Sequence, residues 1–327
     1  MFRLGINLNY SLLLDYLEKD LKKMSKKELD ELKLKAARDI DKQIQFLKEV
    51  GLSGLEFNLE YVKDEKELKF LKEKVEKEGL RISFHAPTEF SFDLTSPYRF
   101  SILKRLKKFT TVLDYSNLIV LHPPYAREPK FFDLKQDEER RKKLDLFANS
   151  LKSLSQCETY WGLENGTAFT YACDAEDLNY VLEKVGRENL TLVPDPAHFY
   201  HMHAVQKKKI KRNEEIRVSK EIKEKVNKPF SKRILEELRN LKGFIVESHL
   251  ANYDERLGWH VKFGIEGIGF FKPYFIKSWL RVLKYKAPNS WLIIEWMPND
   301  ERLYEYKEFK TFTKNLVNFL YELMEKI

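Results

Sequence analysis

The chain has 327 residues, 43% hydrophobic and 13% aromatic, so it can bury a sizeable core and is too apolar for extended disorder. Charged residues make up 34% and the formal net charge is +8, while no apolar run approaches the ~20 residues of a membrane helix. The start MFRLGINLNY lacks the layout of a secretion signal, and Cys157 and Cys173 have no CxxC partner, which suits reduced thiols and a cytoplasmic location.

Short β-rich runs alternate with amphipathic, Lys/Glu-rich segments along the whole chain. RLGINL (3–8) reads as the first strand, followed by a long connection at about 10–33 that looks like an added helix or helix pair, then a helix pattern at 34–49. GLEFNL (54–59) leads to a helix near 65–78, RISFHA (81–86) to 98–113, and LIVLHP (118–123) to 136–155. WGLENG (161–166) precedes a helix at 175–185, and LTLVPD (190–195) precedes a basic segment and a helix at 233–241. FIVESH (244–249) is followed by 270–284, and WLIIEW (291–296) by 305–326. Eight strands, each followed by a helix at a mean spacing near 41 residues, predict a single-domain (β/α)₈ barrel with helical insertions after strands 1 and 6. A doubly wound open sheet is the competing fold, but GINLNYS stands where its glycine-rich phosphate loop would follow the first strand.

The charge excess is local. Between Ala204 and Arg233 there are twelve Lys and Arg against four Glu, which accounts for the whole +8. Such a run is either a solvated surface helix or a holder of phosphate or nucleic-acid backbone. This segment and the connection at 10–33 both leave the C-terminal end of a strand, the face where barrel enzymes keep their chemistry, so both are lid candidates. Acidic runs near 64–78 and 136–140 read as exposed helix faces, Trp161, Trp291 and Trp296 as core or pocket wall, and Gly264, Gly267 and Gly269 as a tight turn.

Every strand end from the third to the eighth carries a potential metal ligand: His85, His122, Glu164, Asp195, His249 and Glu295. In a barrel these ends converge on one axis, so residues remote in sequence would meet. His198 and His260 follow in the adjoining loops and extend the set outward. Mixed imidazoles and carboxylates suit Zn²⁺ first and Mn²⁺ as the alternative. His201 and His203, in HFYHMH, read as helix-start residues or as supports for the ligands.

In order, the fragments HAPTEFSFDLTSP, LHPP, LENGTA, DPAH, HLAN with HVKFGIEGIGFF, and IIEW resemble the endonuclease IV (type 2 apurinic endonuclease) branch of the xylose isomerase-like TIM barrels, over roughly 81–298. The resemblance implies three zinc ions. It places His85, His122 and Glu164 on one, Glu164, Asp195, His249 and Glu295 on a second with Glu164 bridging, and His198 with His260 on a third. The branch has an aspartate two residues before the last histidine, where this chain has Gly258, so Asp254 or Glu255 would have to replace it or the third ion would be lost. It also has an aromatic where this chain has Thr88, for which Phe90 or Phe92 is the substitute.

Two ions about 3.5–4 Å apart can hold a hydroxide and orient a phosphodiester. The first expectation is therefore a metal-dependent phosphodiester hydrolase acting on abasic DNA, with Glu164 bridging, Glu295 as general base and the 204–233 segment attracting nucleic acid. The alternative is a sugar or sugar-phosphate isomerase or epimerase. There one ion sits on Glu164, Asp195, His249 and Glu295, and the two glutamates move a proton beside a carbonyl. His198, His85 and His122 would then face the substrate, and the basic segment would meet a phosphorylated small molecule. A non-catalytic barrel is a third possibility, disfavoured because all six inner positions are chemically competent.

Overall fold

The computed structural model describes residues 2–8, 24–88, 92–127, 129–130, 134–212, 224, 226–254, 258–259, 271–296 and 308–327. Eight strands form one parallel sheet: β1 (Arg3–Asn7), β2 (Gly54–Asn58), β3 (Arg81–His85), β4 (Leu118–Leu121), β5 (Tyr160–Glu164), β6 (Leu190–Val193), β7 (Glu247–Ala251) and β8 (Trp291–Glu295). Their order is β6-β5-β4-β3-β2-β1-β8-β7. Between β6 and β7 the gap is spanned by a parallel bridge of Leu192 with Ile245, where the Leu192 N–H donates to the Phe244 carbonyl at 2.8 Å. The sheet therefore curves round into a nearly closed barrel, and the open doubly wound alternative is excluded.

Strand residues are buried on both faces, as helix-covered parallel sheets require. Outward side chains such as Leu55, Phe57, Ile82 and Phe84 join the main core under the helices. Inward ones fill the barrel itself, where Leu118, Val120 and Val193 form a separate apolar cluster. A Cβ on Gly5 would lie 2.7 Å from Ile293 Cδ1, and one on Gly54 2.7 Å from the Trp291 ring. Large residues of β8 thus occupy the space that these glycines leave, beneath the C-terminal mouth where barrel enzymes keep their chemistry.

The helices are α1 (Lys26–Arg38), α2 (Ile40–Val50), α3 (Glu65–Lys77), α4 (Arg99–Phe109), α5 (Leu134–Leu154), α6 (Ala175–Val185), α7 (Pro196–Arg212), α8 (Phe230–Asn240), α9 (Pro273–Lys286) and α10 (Phe309–Glu325). Ser25 and Glu28 form a capping box that starts α1. Asp39 ends α1 and accepts from the Lys42 N–H at 3.1 Å to start α2, so the expected helix at 34–49 is two helices. α7 begins at the proline of DPAH and runs to Arg212, so β6 and β7 are joined by two helices, and the described first part of the basic segment is helical. The seventh strand starts at Glu247, three residues later than FIVESH suggests, because Phe244 is exposed and Ile245 makes only the closing bridge.

Trp161 and Trp296 are fully buried and Trp291 nearly so, as core residues. Among the described residues no helix is long and apolar enough to cross a membrane. Residues 9–23 of the first long connection, 213–223 and 225 of the basic segment, Phe90, Glu255, His260, Gly264, Gly267 and Gly269 lie outside the described residues.

Candidate active site

Strand alternation decides which residues reach the mouth. His85, Glu164 and Glu295 are the last residues of β3, β5 and β8, and His249 is the third of β7. His122 follows β4 directly, Asp195 lies two residues past β6, and His198 sits in the first turn of α7. The Asp195 carboxylate caps that helix, Oδ1 accepting from the Ala197 and His198 N–H groups at 2.5 and 3.2 Å. Asn165 fastens the same corner, donating to the Asp195 carbonyl at 3.0 Å and accepting from its N–H at 2.6 Å.

Glu164 is the hub. One carboxylate oxygen lies 2.6 Å from His122 Nε2 and 3.4 Å from His85 Nε2, and the other 3.1 Å from His249 Nδ1 and 3.2 Å from His198 Nδ1. His249 Nδ1 is also 3.5 Å from Glu295 Oε1. The six strand-end residues are therefore brought together, and His198 turns inward against Glu164. Three groups of donors, each with its ligand atoms within 4.8 Å of one another, could hold a metal: Glu164, Asp195, His249 and Glu295; His85, His122 and Glu164; and Glu56, His85, His249 and Glu295.

The electrostatics of this cluster match a cation. Burial pushes the Glu295 carboxyl up to about 8, and the nearby Glu164, Glu56 and Asp195 carboxylates add to the rise. Asp195 is raised too, by burial and by Glu164. Burial would also raise Glu164, but His122, His249 and His198 outweigh it and hold Glu164 well below the usual range. Burial opposes charge on His249, yet Glu295, Glu56 and Glu164 lift it well above 6.5. The same opposition lifts His85 to about 9 and raises His198, whereas burial wins at His122 and lowers it. The cluster thus keeps protons that a divalent ion would replace. Asp195 Oδ2 supplies the direct sign: it is buried and has no hydrogen-bond partner among the described residues. An orphan carboxylate oxygen facing mixed imidazoles and carboxylates fits a divalent ion of the Zn²⁺ or Mn²⁺ type.

A profile of the xylose isomerase-like TIM barrel family matches residues 44–313. The chain belongs to that family. No curated protein matches it. Among solved structures it is similar to the D-psicose 3-epimerase from Clostridium cellulolyticum H10 with D-tagatose, at 13% identity over 99% of each chain and a TM-score of 0.60. It is similar to an L-ribulose 3-epimerase at 14% identity, over 100% of this chain and 95% of that one, with a TM-score of 0.58. A 3-keto-D-glucoside 4-epimerase from E. coli gives 12% identity, 96% and 100% coverage and 0.57. At such identities the likeness establishes the shared fold. The family match covers the xylose isomerase-like barrels as a whole and does not single out the endonuclease IV branch.

Above the cluster this xylose isomerase-like barrel has a cleft of about 260 Å³, lined by Asn7, Asn58, Glu60, Thr88, Tyr125 and His198 among others. Thr88 is on its wall, and its carbonyl accepts from the Tyr125 hydroxyl at 2.5 Å, so Tyr125 is the aromatic at this point. Phe92 is half-buried and packs on the main core, as loop packing. His201 accepts from the Ala168 N–H at 3.4 Å, and His203 Nε2 lies 3.5 Å from Glu237 in α8, so both serve the helix and its neighbours. Sequence reasoning missed Glu56, fully buried in the middle of β2 and 3.1 Å from His249 Nε2. Its signal was available: one acid between apolar neighbours in GLEFNL, with the same inward parity as Asn58.

Proposed function

We propose that the chain is a divalent-metal-dependent sugar or sugar-phosphate isomerase or epimerase. The observation that carries this reading is the convergence of Glu164 and Glu295. They come from strands far apart in the barrel to face one imidazole nitrogen, His249 Nδ1, at 3.1 and 3.5 Å, with Asp195 in the same donor group. The cleft above them, about 260 Å³, lies at the small end of ligand pockets and suits a monosaccharide. The similar solved structures named above are sugar epimerases by their own descriptions, which supports the same class.

Glu164, Asp195, His249 and Glu295 would hold the ion, whose chemistry is to polarise a sugar carbonyl and make the neighbouring C–H acidic. The chain then does the rest. One glutamate takes the proton from that carbon as general base, and the other returns a proton, to the opposite face for an epimer or to the adjacent carbon for an isomer. His198 and the exposed edge of His122 meet substrate hydroxyls at the mouth, and the polar wall of Asn7, Asn58 and Tyr125 orients them. The basic 204–233 segment would attract the phosphate of a phosphorylated sugar.

A hydrolase reading retains one specific support. His85, His122 and Glu164 form a second donor group sharing Glu164 with the first, as a two-ion phosphodiesterase requires. Incubation in D₂O separates the two. Ketoses and ketose phosphates incubated with Mn²⁺-loaded protein should gain deuterium at the epimerised carbon, and abasic duplex DNA should stay intact. Strand cleavage without sugar exchange would refute the proposal in favour of the hydrolase.

A further inference from the structure

Glu56 is a buried carboxylate that the proposed proton transfers do not use, and both its oxygens are occupied. Oε1 accepts from the Asn7 side-chain amide at 2.8 Å, and Oε2 lies 3.1 Å from His249 Nε2. Glu247, the other carboxylate on that side of the ring, is 3.8 Å from Nε2 and is engaged by Arg81 at 2.9 Å and by the Ser83 hydroxyl at 3.4 Å. On the far side of the same ring, Nδ1 faces Glu164 and Glu295. The two nitrogens of an imidazole point in divergent directions, so a cation held at Nδ1 is not shared with Glu56.

From this geometry we infer that Glu56 is a positioning residue. It accepts the Nε2–H of His249, fixes the ring's rotation and tautomer, and thereby presents a bare Nδ1 to a divalent cation. The inference rests on the reading that Glu164, Asp195, His249 and Glu295 hold that cation. A carboxylate behind a ligating histidine also makes the ring a stronger donor. The other imidazoles are anchored differently: His85 Nδ1 donates to the Ala86 carbonyl at 2.8 Å and His198 Nδ1 to the Asn165 carbonyl at 2.7 Å. A neutral carbonyl is the nearer partner of each of those Nδ1 atoms, whereas His249 meets carboxylates at both ring nitrogens. Asn7 completes the device, because its amide stops the Glu56 carboxylate from rotating away.

The test uses the full chain with Mn²⁺ for calorimetry and Zn²⁺ for ¹⁵N-histidine NMR. Glu56→Gln keeps an acceptor and loses the charge; Glu56→Met loses both. Mn²⁺ affinity should fall about 10- to 100-fold in Glu56→Met and less in Glu56→Gln, with far-UV circular dichroism confirming the fold. In the Zn²⁺-loaded wild type, His249 should carry its proton on Nε2 and its metal on Nδ1, a readout that needs no variant. Wild-type affinity in a folded Glu56→Met, or a His249 ring ligated through Nε2, would overturn the inference while leaving the metal reading intact. A wild-type chain that binds neither ion would overturn both.

Discussion

The protons stored in the cluster make cation binding depend steeply on pH. Glu295, at about 8, and His249, raised well above 6.5, both carry protons at pH 7 in the metal-free chain, and a cation on the group that includes Asp195 must displace them. Raising the pH removes that competition, so affinity rises with pH. For Glu295 alone, going from pH 8 to pH 6 increases the proton competition about 50-fold, ~2.3 kcal/mol, and a proton on His249 adds up to about another 100-fold. Titration calorimetry of Mn²⁺ at pH 6, 7 and 8, repeated in buffers of different ionisation enthalpy, measures the affinity and the protons released together. The expected result is at least one proton released at pH 7 and at least a tenfold loss of affinity at pH 6 relative to pH 8. An affinity that changes less than threefold over this range, with no proton release, would refute the electrostatic reasoning.

Asp195→Asn keeps an oxygen to accept from the Ala197 and His198 amides, while removing a buried carboxylate beside Glu164. The metal-free variant should melt at or above the wild-type temperature and lose the rise that Mn²⁺ gives the wild type; a wild-type rise would remove Asp195 from the ligand set. Glu164→Gln and Glu295→Gln should each lower kcat for sugar exchange by about 10²-fold or more, read as deuterium incorporation, and an unchanged rate would exclude that residue from proton transfer. Arg140 is buried, donates to Asp177 at 2.6 and 2.9 Å and to the Thr170 carbonyl at 3.0 Å, and so ties α5 and α6 to the loop after β5. Arg140→Met leaves Asp177 short of a partner and should destabilise the chain by about 3–5 kcal/mol in urea, and a loss under 1 kcal/mol would show that Lys130 compensates.

Most of the clustered side chains were legible because they sit where an apolar run stops, at the mouth of a parallel barrel; His249 is the exception, third of the five residues of β7. That rule could not find Glu56, which is the third of the five residues of β2 and reaches the cluster from one layer below. Detecting it requires asking why an acid interrupts a buried strand. The helix after β6 was legible in kind but not in extent: its lysine-rich second half merges with the basic segment, whereas its start is marked by Asp195 as cap and Pro196 in the first turn. The late start of β7 reflects composition, since FIV has the residues of a strand while Phe244 faces solvent. The substrate class depended least on local sequence, because the same strand-end ligands serve hydrolysis and isomerisation alike.

The central claim is that one divalent cation sits among Glu164, Asp195, His249 and Glu295. Anomalous diffraction from crystals of the full chain grown with Mn²⁺ tests it most directly. The account predicts a strong peak within bonding distance of His249 Nδ1, Asp195 Oδ2 and both glutamates. A map with no peak there, or with manganese bound only elsewhere on the chain, would contradict it.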